Sequence, residues 1–189
     1  MDEDVDKMQV NINYFVHGAT LDNEKKLSSS WHDVELSEVG IRQSNELKEL
    51  VKDKEFDVVF CSDLKRAVAS AEIVFGDRVK IIQDKRLREC DYGDRTREKS
   101  EVMNKLMFKH IAKPFRNGES YQDVENRIRS FLEDLLKSYI GRNVAIVAHR
   151  APQLALEVIL KGKSWEQAMK EDWRLTKSWQ PGFEYQLYK

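Results

Sequence analysis

Cysteine is scarce in this chain. Cys61 and Cys90 are the two among 189 residues, too few for a disulfide framework, and their spacing to histidine matches no zinc pattern. Long apolar runs are missing too, and the longest present are far too short to cross a bilayer. The first residues, "MDEDVDK", are acidic where a secretory signal would be basic, so the expected compartment is the cytoplasm, with no membrane partner. An excess of either charge is also lacking, since 32 basic residues face 33 acidic ones for a net charge of −1. That balance leaves no electrostatic footprint for nucleic acid, and any anion site must be built locally from a few arginines. Neither GxxxxGK[ST] nor GxGxxG occurs, which removes the nucleotide-cradling loops. Linker-like stretches and internal repeats are absent, so residues 1–189 read as one domain.

What is present is a soluble, globular composition, 41% hydrophobic and 34% charged. Residues 9–16, "QVNINYFV", alternate and then turn apolar, which predicts a strand ending at His17 and Gly18. A polar loop of about 20 residues follows. "SEVGIRQSNELKELVKDK" from Ser37 predicts an amphipathic helix with Ser37 as its N-cap. "FDVVFC", 56–61, reads as a strand and "SDLKRAVASAEIVF" after it as a helix. "VKII", 79–82, is a further short strand, "RLRECDYGDRT" a loop, and 98–112 a weak helix closed by Pro114. "NGES", 117–120, supplies turn and cap residues before the clearest apolar stripe, Val124, Ile128, Phe131, Leu132 and Leu135. "NVAIVAH", 143–149, is an apolar strand ending in histidine, and a final helix starts near Pro152. Trp165, Trp173 and Trp179 in the tail read as packing residues.

Strands alternating with helices predict a mostly parallel sheet covered on both faces, with ligands bound beyond the carboxyl ends of the strands. Three predicted strands end in reactive or basic groups: at His17, just before "CSDLKR", and at His149 with Arg150. If these strands are neighbours, two imidazoles and two guanidinium groups converge on one crevice, which suits a phosphate. An imidazole can attack phosphorus directly, provided that arginines neutralise the phosphoryl oxygens and an acid protonates the leaving oxygen. Glu89, in a loop after a strand, is a candidate acid.

These residues resemble the histidine phosphatase, or phosphoglycerate mutase-like, superfamily over almost the whole chain. That family opens with a strand and Arg-His-Gly-Glu/Gln-Thr, with an Asn three residues later; here the stretch reads Val16-His17-Gly18-Ala19-Thr20, with Asn23 in place. "DVELSEVG" resembles the family's Asp-x-x-Leu-Thr-x-x-Gly, "CSDLKRAVASAEI" its Ser-x-Leu-x-Arg-Ala helix, and "RLRECDYG" its Leu-x-Glu-x-x-x-Gly loop; "NGES" and "AIVAH" complete the order. The resemblance implies a three-layer αβα sandwich of phosphoglycerate mutase-like topology with a small cap at about 91–120. It implies His17 as nucleophile, Arg66 as phosphate clamp, Glu89 as proton donor and later base, and His149 as a second phosphate-binding group. Gly18, Thr20, Asn23 and Arg150 become candidate substrate contacts. The expected activity is metal-independent and cofactor-free hydrolysis of a small phosphorylated metabolite through a phosphohistidine, with mutase-type transfer as the alternative.

The departures carry equal weight. Val16 stands where the family has arginine, Ala19 replaces the Glu or Gln, and "GDRTRE" lacks the usual Trp/Leu-Glu-Gly. Arg150, directly after His149, is an obvious replacement for the missing charge, against the plainer possibility of a salt bridge to a neighbouring acid. Loss of the family arginine also opens a different class of function, a phospho-ligand binding module without turnover. Two further rivals are a cysteine phosphatase, weakened because Cys61-x4-Arg66 is one residue short of Cys-x5-Arg, and a metal triad of His17, His149 and Glu89, opposed by the arginines beside it. Basic residues of the cap segment, Arg95, Arg97, Lys105, Lys109 and His110, either meet further anionic groups or are solvated. No feature specifies an oligomeric state.

Overall fold

The computed structural model describes residues 9–176 and 182–189; Trp179 lies outside them. In chain order the elements are β1 (Gln9–Val16), α1 (Leu21–Glu24), α2 (Glu38–Leu50), β2 (Val58–Cys61), α3 (Lys65–Phe75), β3 (Ile81–Gln83), α4 (Ser100–Leu106), α5 (Tyr121–Ser138), β4 (Asn143–Ala148), α6 (Arg150–Lys161), α7 (Trp165–Lys170), α8 (Trp173–Thr176) and β5 (Phe183–Tyr188). Among the described residues the sheet runs β3-β2-β4-β1-β5, parallel throughout except for β5, which pairs antiparallel with β1.

Alternation along the strands builds the layers. Ile12, Tyr14, Phe60, Val144 and Ile146 face a core shared with Ile128, Phe131 and Leu135 of α5 and Leu154 of α6. Their neighbours Phe15, Val59, Cys61, Ala145 and Val147 face the other way, against Val51, Ala71, Val74 and Phe75 beside α2 and α3. β2 and β4 are apolar on both faces because both are covered, as expected of central parallel strands. The result is the three-layer αβα sandwich. No helix among the described residues is long and apolar enough to cross a membrane.

α5 follows its sequence signals closely: Ser120 and Asp123 form a reciprocal capping box, and the predicted apolar stripe is buried. The predicted helix at 98–112 is shorter, α4 followed by a 3₁₀ turn at Met107–His110. The helix expected near Pro152 begins at Arg150, which fits an N-terminal proline because its missing N–H is not needed in the first turn, and it is not the last, since α7 and α8 follow it. β5 was not expected, although Phe183, Tyr185 and Leu187 alternate with polar residues.

Candidate active site

A cleft of about 730 Å³ opens over the carboxyl ends of the strands, with His17, Arg66, Glu89, Arg150 and Arg174 on its wall. β1 and β4 pair in register with Val16 opposite Ala148, so His17 and His149 leave the sheet side by side. Their ring centroids are 5.0 Å apart. The turn after β1 packs tightly on α2: a Cβ at Gly18 would lie 2.3 Å from the Gly40 carbonyl oxygen, and one at Gly40 would lie 1.9 Å from that of Ala19. Glycine at both positions lets the backbones touch, and the Gly18 N–H donates to Ser70 Oγ at 3.0 Å.

His17 Nδ1 lies 2.7 Å from the Gly18 carbonyl oxygen. A carbonyl can only accept, so the proton of the neutral ring sits on Nδ1 and the lone pair on Nε2. Arg66 Nε donates to that Nε2 at 3.3 Å. The rest of the Arg66 fork donates to the His32 and Ser30 carbonyls at 3.0 and 2.7 Å. Ser30 has a φ of 54°, an uncommon backbone for a non-glycine residue, and its carbonyl is one of the two that accept from Arg66.

His149 is fully buried behind His17 and does not line the cleft, and neither of its ring nitrogens has a hydrogen-bond partner among the described residues. Its backbone is held by Tyr14, whose hydroxyl donates to the His149 carbonyl at 2.6 Å and accepts the His149 N–H at 3.0 Å. Glu89 is oriented by three backbone donors: Oε1 accepts from Cys90 and Ala151 at 2.8 and 3.0 Å, and Oε2 from Arg150 at 3.1 Å. The carboxylate thus satisfies the first N–H groups of α6 while lining the cleft.

The structure therefore brings His17, Arg66, Glu89 and His149 together. Of the other predicted contacts, Gly18 and Asn23 line the cleft, with Asn23 also closing a capping box with Thr20. Thr20 is buried outside the cleft wall, its hydroxyl accepting the Asn23 N–H at 3.1 Å. Arg150 reaches the wall, but its Nε donates to Asp172 at 2.5 Å, its Nη1 to Asn104 at 2.6 Å and its Nη2 to Met107 Sδ at 3.5 Å. In the cap segment, Arg97 pairs with Asp22, Arg95 with Glu98 and Lys105 with Glu101. Sequence reasoning missed Tyr14, Ser70, Asp172 and Arg174. Tyr14, three residues before His17 on a strand, offered no distinguishing signal, and the tail was read for its tryptophans.

Electrostatics follow from this crowding. Burial, then the Arg66 charge, lowers the His17 pKa to about 3, with Arg174 adding to the effect and the Gly18 hydrogen bond opposing it. Burial and the neighbouring Arg66 and His17 push His149 well down as well. Both rings are neutral in the folded protein at neutral pH, whereas in the unfolded chain a histidine titrates near pH 6.5. The unfolded state thus binds more protons below about pH 6.5, so this contribution is fully present above that pH and is lost as pH falls toward the folded value near 3. Unfolding free energy of the ligand-free protein should drop between pH 6.5 and 5 with a limiting slope of about 1.4 kcal/mol per pH unit for each histidine. Urea midpoints across that range measure it; a flat profile contradicts the neutral, buried pair.

Cys61 belongs to the core under α2 and α3, not to the cleft. Burial, followed by Glu72 and Asp63, pushes its thiol up to about 12, leaving no thiolate at neutral pH. Cys61→Ala should keep turnover within about twofold of wild type while costing stability through the small core cavity; loss of activity without unfolding restores the cysteine mechanism.

Comparison with known proteins agrees with this geometry. The histidine phosphatase superfamily (branch 1) matches residues 15–179. A phosphoserine phosphatase 1 of Hydrogenobacter thermophilus is 32% identical over 69% of this chain and 66% of its own length, just under two thirds. A 2,3-bisphosphoglycerate-dependent phosphoglycerate mutase of Cytophaga hutchinsonii is 31% identical over 76% of this chain and 75% of its own. The solved structure of the alpha-ribazole phosphatase from Shigella flexneri superposes with a TM-score of 0.75 at 25% identity, covering 85% of this chain and 84% of that one. The chain belongs to the histidine phosphatase superfamily. Within it, phosphatases and phosphoglycerate mutases are similar to it to nearly the same degree.

Proposed function

We propose that this protein is a metal-independent phosphatase that hydrolyses small phosphomonoesters through a phosphohistidine at His17. The observation that carries this reading is the pinned imidazole: with Nδ1 tied to the Gly18 carbonyl, the lone pair lies on Nε2, where it accepts from Arg66 Nε until a phosphoryl group takes over that donor. Nε2 attacks phosphorus as the ester P–O bond breaks, and the leaving oxygen takes a proton from Glu89 in its acid form. Water then attacks the phosphorus of the phosphohistidine, gives a proton back to Glu89 and releases inorganic phosphate and free His17. Arg66 opposes the charge that builds on the phosphoryl oxygens.

The guanidinium groups of Arg66 and Arg174 beside the histidines favour an anion over a metal cation in this cleft. The side chains around its wall, including Ser28, Ser100, Asn104 and Leu47, suit a small metabolite of mixed polarity. Residues 91–120 serve as the cap over this single domain, and their modest length favours release of the product to water over its retention. The free, buried Cys61 and Cys90 accord with a cytoplasmic setting. Mutase activity remains the second reading because a phosphoglycerate mutase is among the similar relatives.

A panel of phosphomonoesters, with and without chelator, tests the proposal when combined with acid-free quenching and mass spectrometry of the His17 peptide. Inorganic phosphate release insensitive to chelator, with one phosphoryl group on His17, is the expected result. A rearranged phosphoester without free phosphate assigns the mutase. Phosphate binding with no phosphoenzyme on any substrate assigns the binding module, and chelator loss reversed by zinc or manganese assigns a metal mechanism.

A further inference from the structure

We propose that Arg174, carried by α8 near the end of the chain, is a phosphoryl-binding residue of this cleft and supplies the guanidinium that Val16 cannot. The inference rests on the phosphoryl-transfer reading of the site and extends it to a segment that no motif of the chain marks.

Among the described residues three guanidinium groups line the cleft, and they differ in what they hold. Every nitrogen of Arg66 is engaged, by His17, His32 and Ser30. Every nitrogen of Arg150 is engaged as well, by Asp172, Asn104 and Met107. Arg174 differs: Nη1 donates to Asp172 Oδ1 at 2.9 Å and the guanidinium lies 4.6 Å from the Trp173 ring, while Nη2 is closed off from solvent and has no hydrogen-bond partner among the described residues. A buried, charged donor left unmet is costly, and such groups mark sites completed by a ligand. A second unmet donor on the same wall points the same way, because Trp173 also lines the cleft and its buried Nε1 has no hydrogen-bond partner among the described residues.

Asp172 explains how the arginine is held. Its side chain is fully buried and accepts Arg150 on one oxygen and Arg174 on the other. Asp172 and Glu89 are two carboxylates set among the three guanidiniums of the cleft, which leaves a positive charge over, and Asp172 orients the Arg174 fork without occupying both of its ends. The charge of Arg174 is felt at His17, where it adds to the lowering of the imidazole pKa. A phosphoryl group attached to His17 would draw the Arg174 fork toward its oxygens, so that Nη2, which lacks an acceptor in the ligand-free protein, gains one on a partner whose geometry the planar fork suits. Arg150, tied on all sides, acts as a positioning residue through Asp172.

The test is calorimetric titration of the full chain with inorganic phosphate, alongside urea unfolding and phosphoenzyme detection on His17. Arg174→Ala should weaken phosphate binding by about 10- to 100-fold, the equivalent of one charge-assisted hydrogen bond. Arg174→Lys should recover part of the loss, since it restores charge but not the fork. Arg150→Ala should cost less phosphate affinity than Arg174→Ala. The kcat/KM loss in Arg174→Ala should be equal for activated aryl and alkyl phosphates, because a charge clamp does not depend on the leaving group. If Arg174→Ala is poorly folded, Arg174→Gln replaces it, judged at matched urea midpoint. Wild-type phosphate affinity in a folded Arg174 variant, or a larger loss in Arg150→Ala, overturns the proposal while leaving a wild-type phosphoenzyme intact. Absence of the phosphoenzyme in wild type with phosphate binding still dependent on Arg174 upholds the binding residue and defeats the phosphoryl-transfer reading instead.

Discussion

His17→Ala should show no turnover above background and no phosphoenzyme, a fall in kcat of about 10⁴-fold or more. No group is placed to substitute for it. His149 has both ring nitrogens buried behind His17 and away from the cleft wall, and Cys61 lies in the core on the far face of the sheet. The substitution has a stability signature that separates lost chemistry from lost structure. Removing the imidazole strands Arg66 Nε, an expected penalty of about 1–3 kcal/mol at neutral pH. It also removes one of the two histidines that resist protonation, so the acid slope between pH 6.5 and 5 should fall by roughly half. A folded His17→Ala protein that retains turnover, measured as phosphate release from an aryl phosphate, would falsify the nucleophile assignment.

Glu89→Gln is the second large effect, and it should depend on the substrate. Only a poor leaving group needs a proton as the P–O bond breaks, so kcat/KM for alkyl phosphates should drop by about 10²–10⁴-fold, with a far smaller loss for activated aryl phosphates. The glutamine retains the size of the side chain but not all of its acceptors. With its oxygen toward Cys90 and Ala151, its amide nitrogen would face the Arg150 N–H, which the Glu89 carboxylate now accepts at 3.1 Å. One hydrogen bond at the start of α6 is therefore lost, an expected cost of about 1 kcal/mol or somewhat more. Leaving-group dependence, read as the slope of log kcat/KM against leaving-group pKa, isolates the proton transfer from that structural loss. Equal losses on both substrate types mean that Glu89 orients α6 and does not act as the acid.

Much of the frame was legible because it is local. β1, β2 and β4 are apolar runs, α5 carries a cap and a stripe, and the reactive residues follow the strands directly. β5 escaped although its alternation is visible, since a half-exposed edge strand gives a weaker signal than a buried central run. Thr20 illustrates a different limit. Its place in the motif suggested a substrate contact, but a hydroxyl next to a helix start also serves as an N-cap, and its hydroxyl accepts the Asn23 N–H.

The sequence by itself determined the αβα class, the family, and the grouping of His17, Arg66 and Glu89 with His149, because strand and helix periods and motif order are written in short windows of chain. Tertiary structure alone decided which nitrogen of His17 carries the proton, that His149 is sealed behind it, and which guanidinium is left with an unmet donor. Arg150 looked free in the sequence, yet Asp172, 22 residues further on, holds it, and the same carboxylate turns Arg174 toward the phosphoryl site proposed here. Those pairings depend on how Asp172 and α8 are brought to the cleft wall. No local pattern encodes that packing, since the energy of a buried ion pair depends on the distance and angle between side chains that only the folded chain brings into contact.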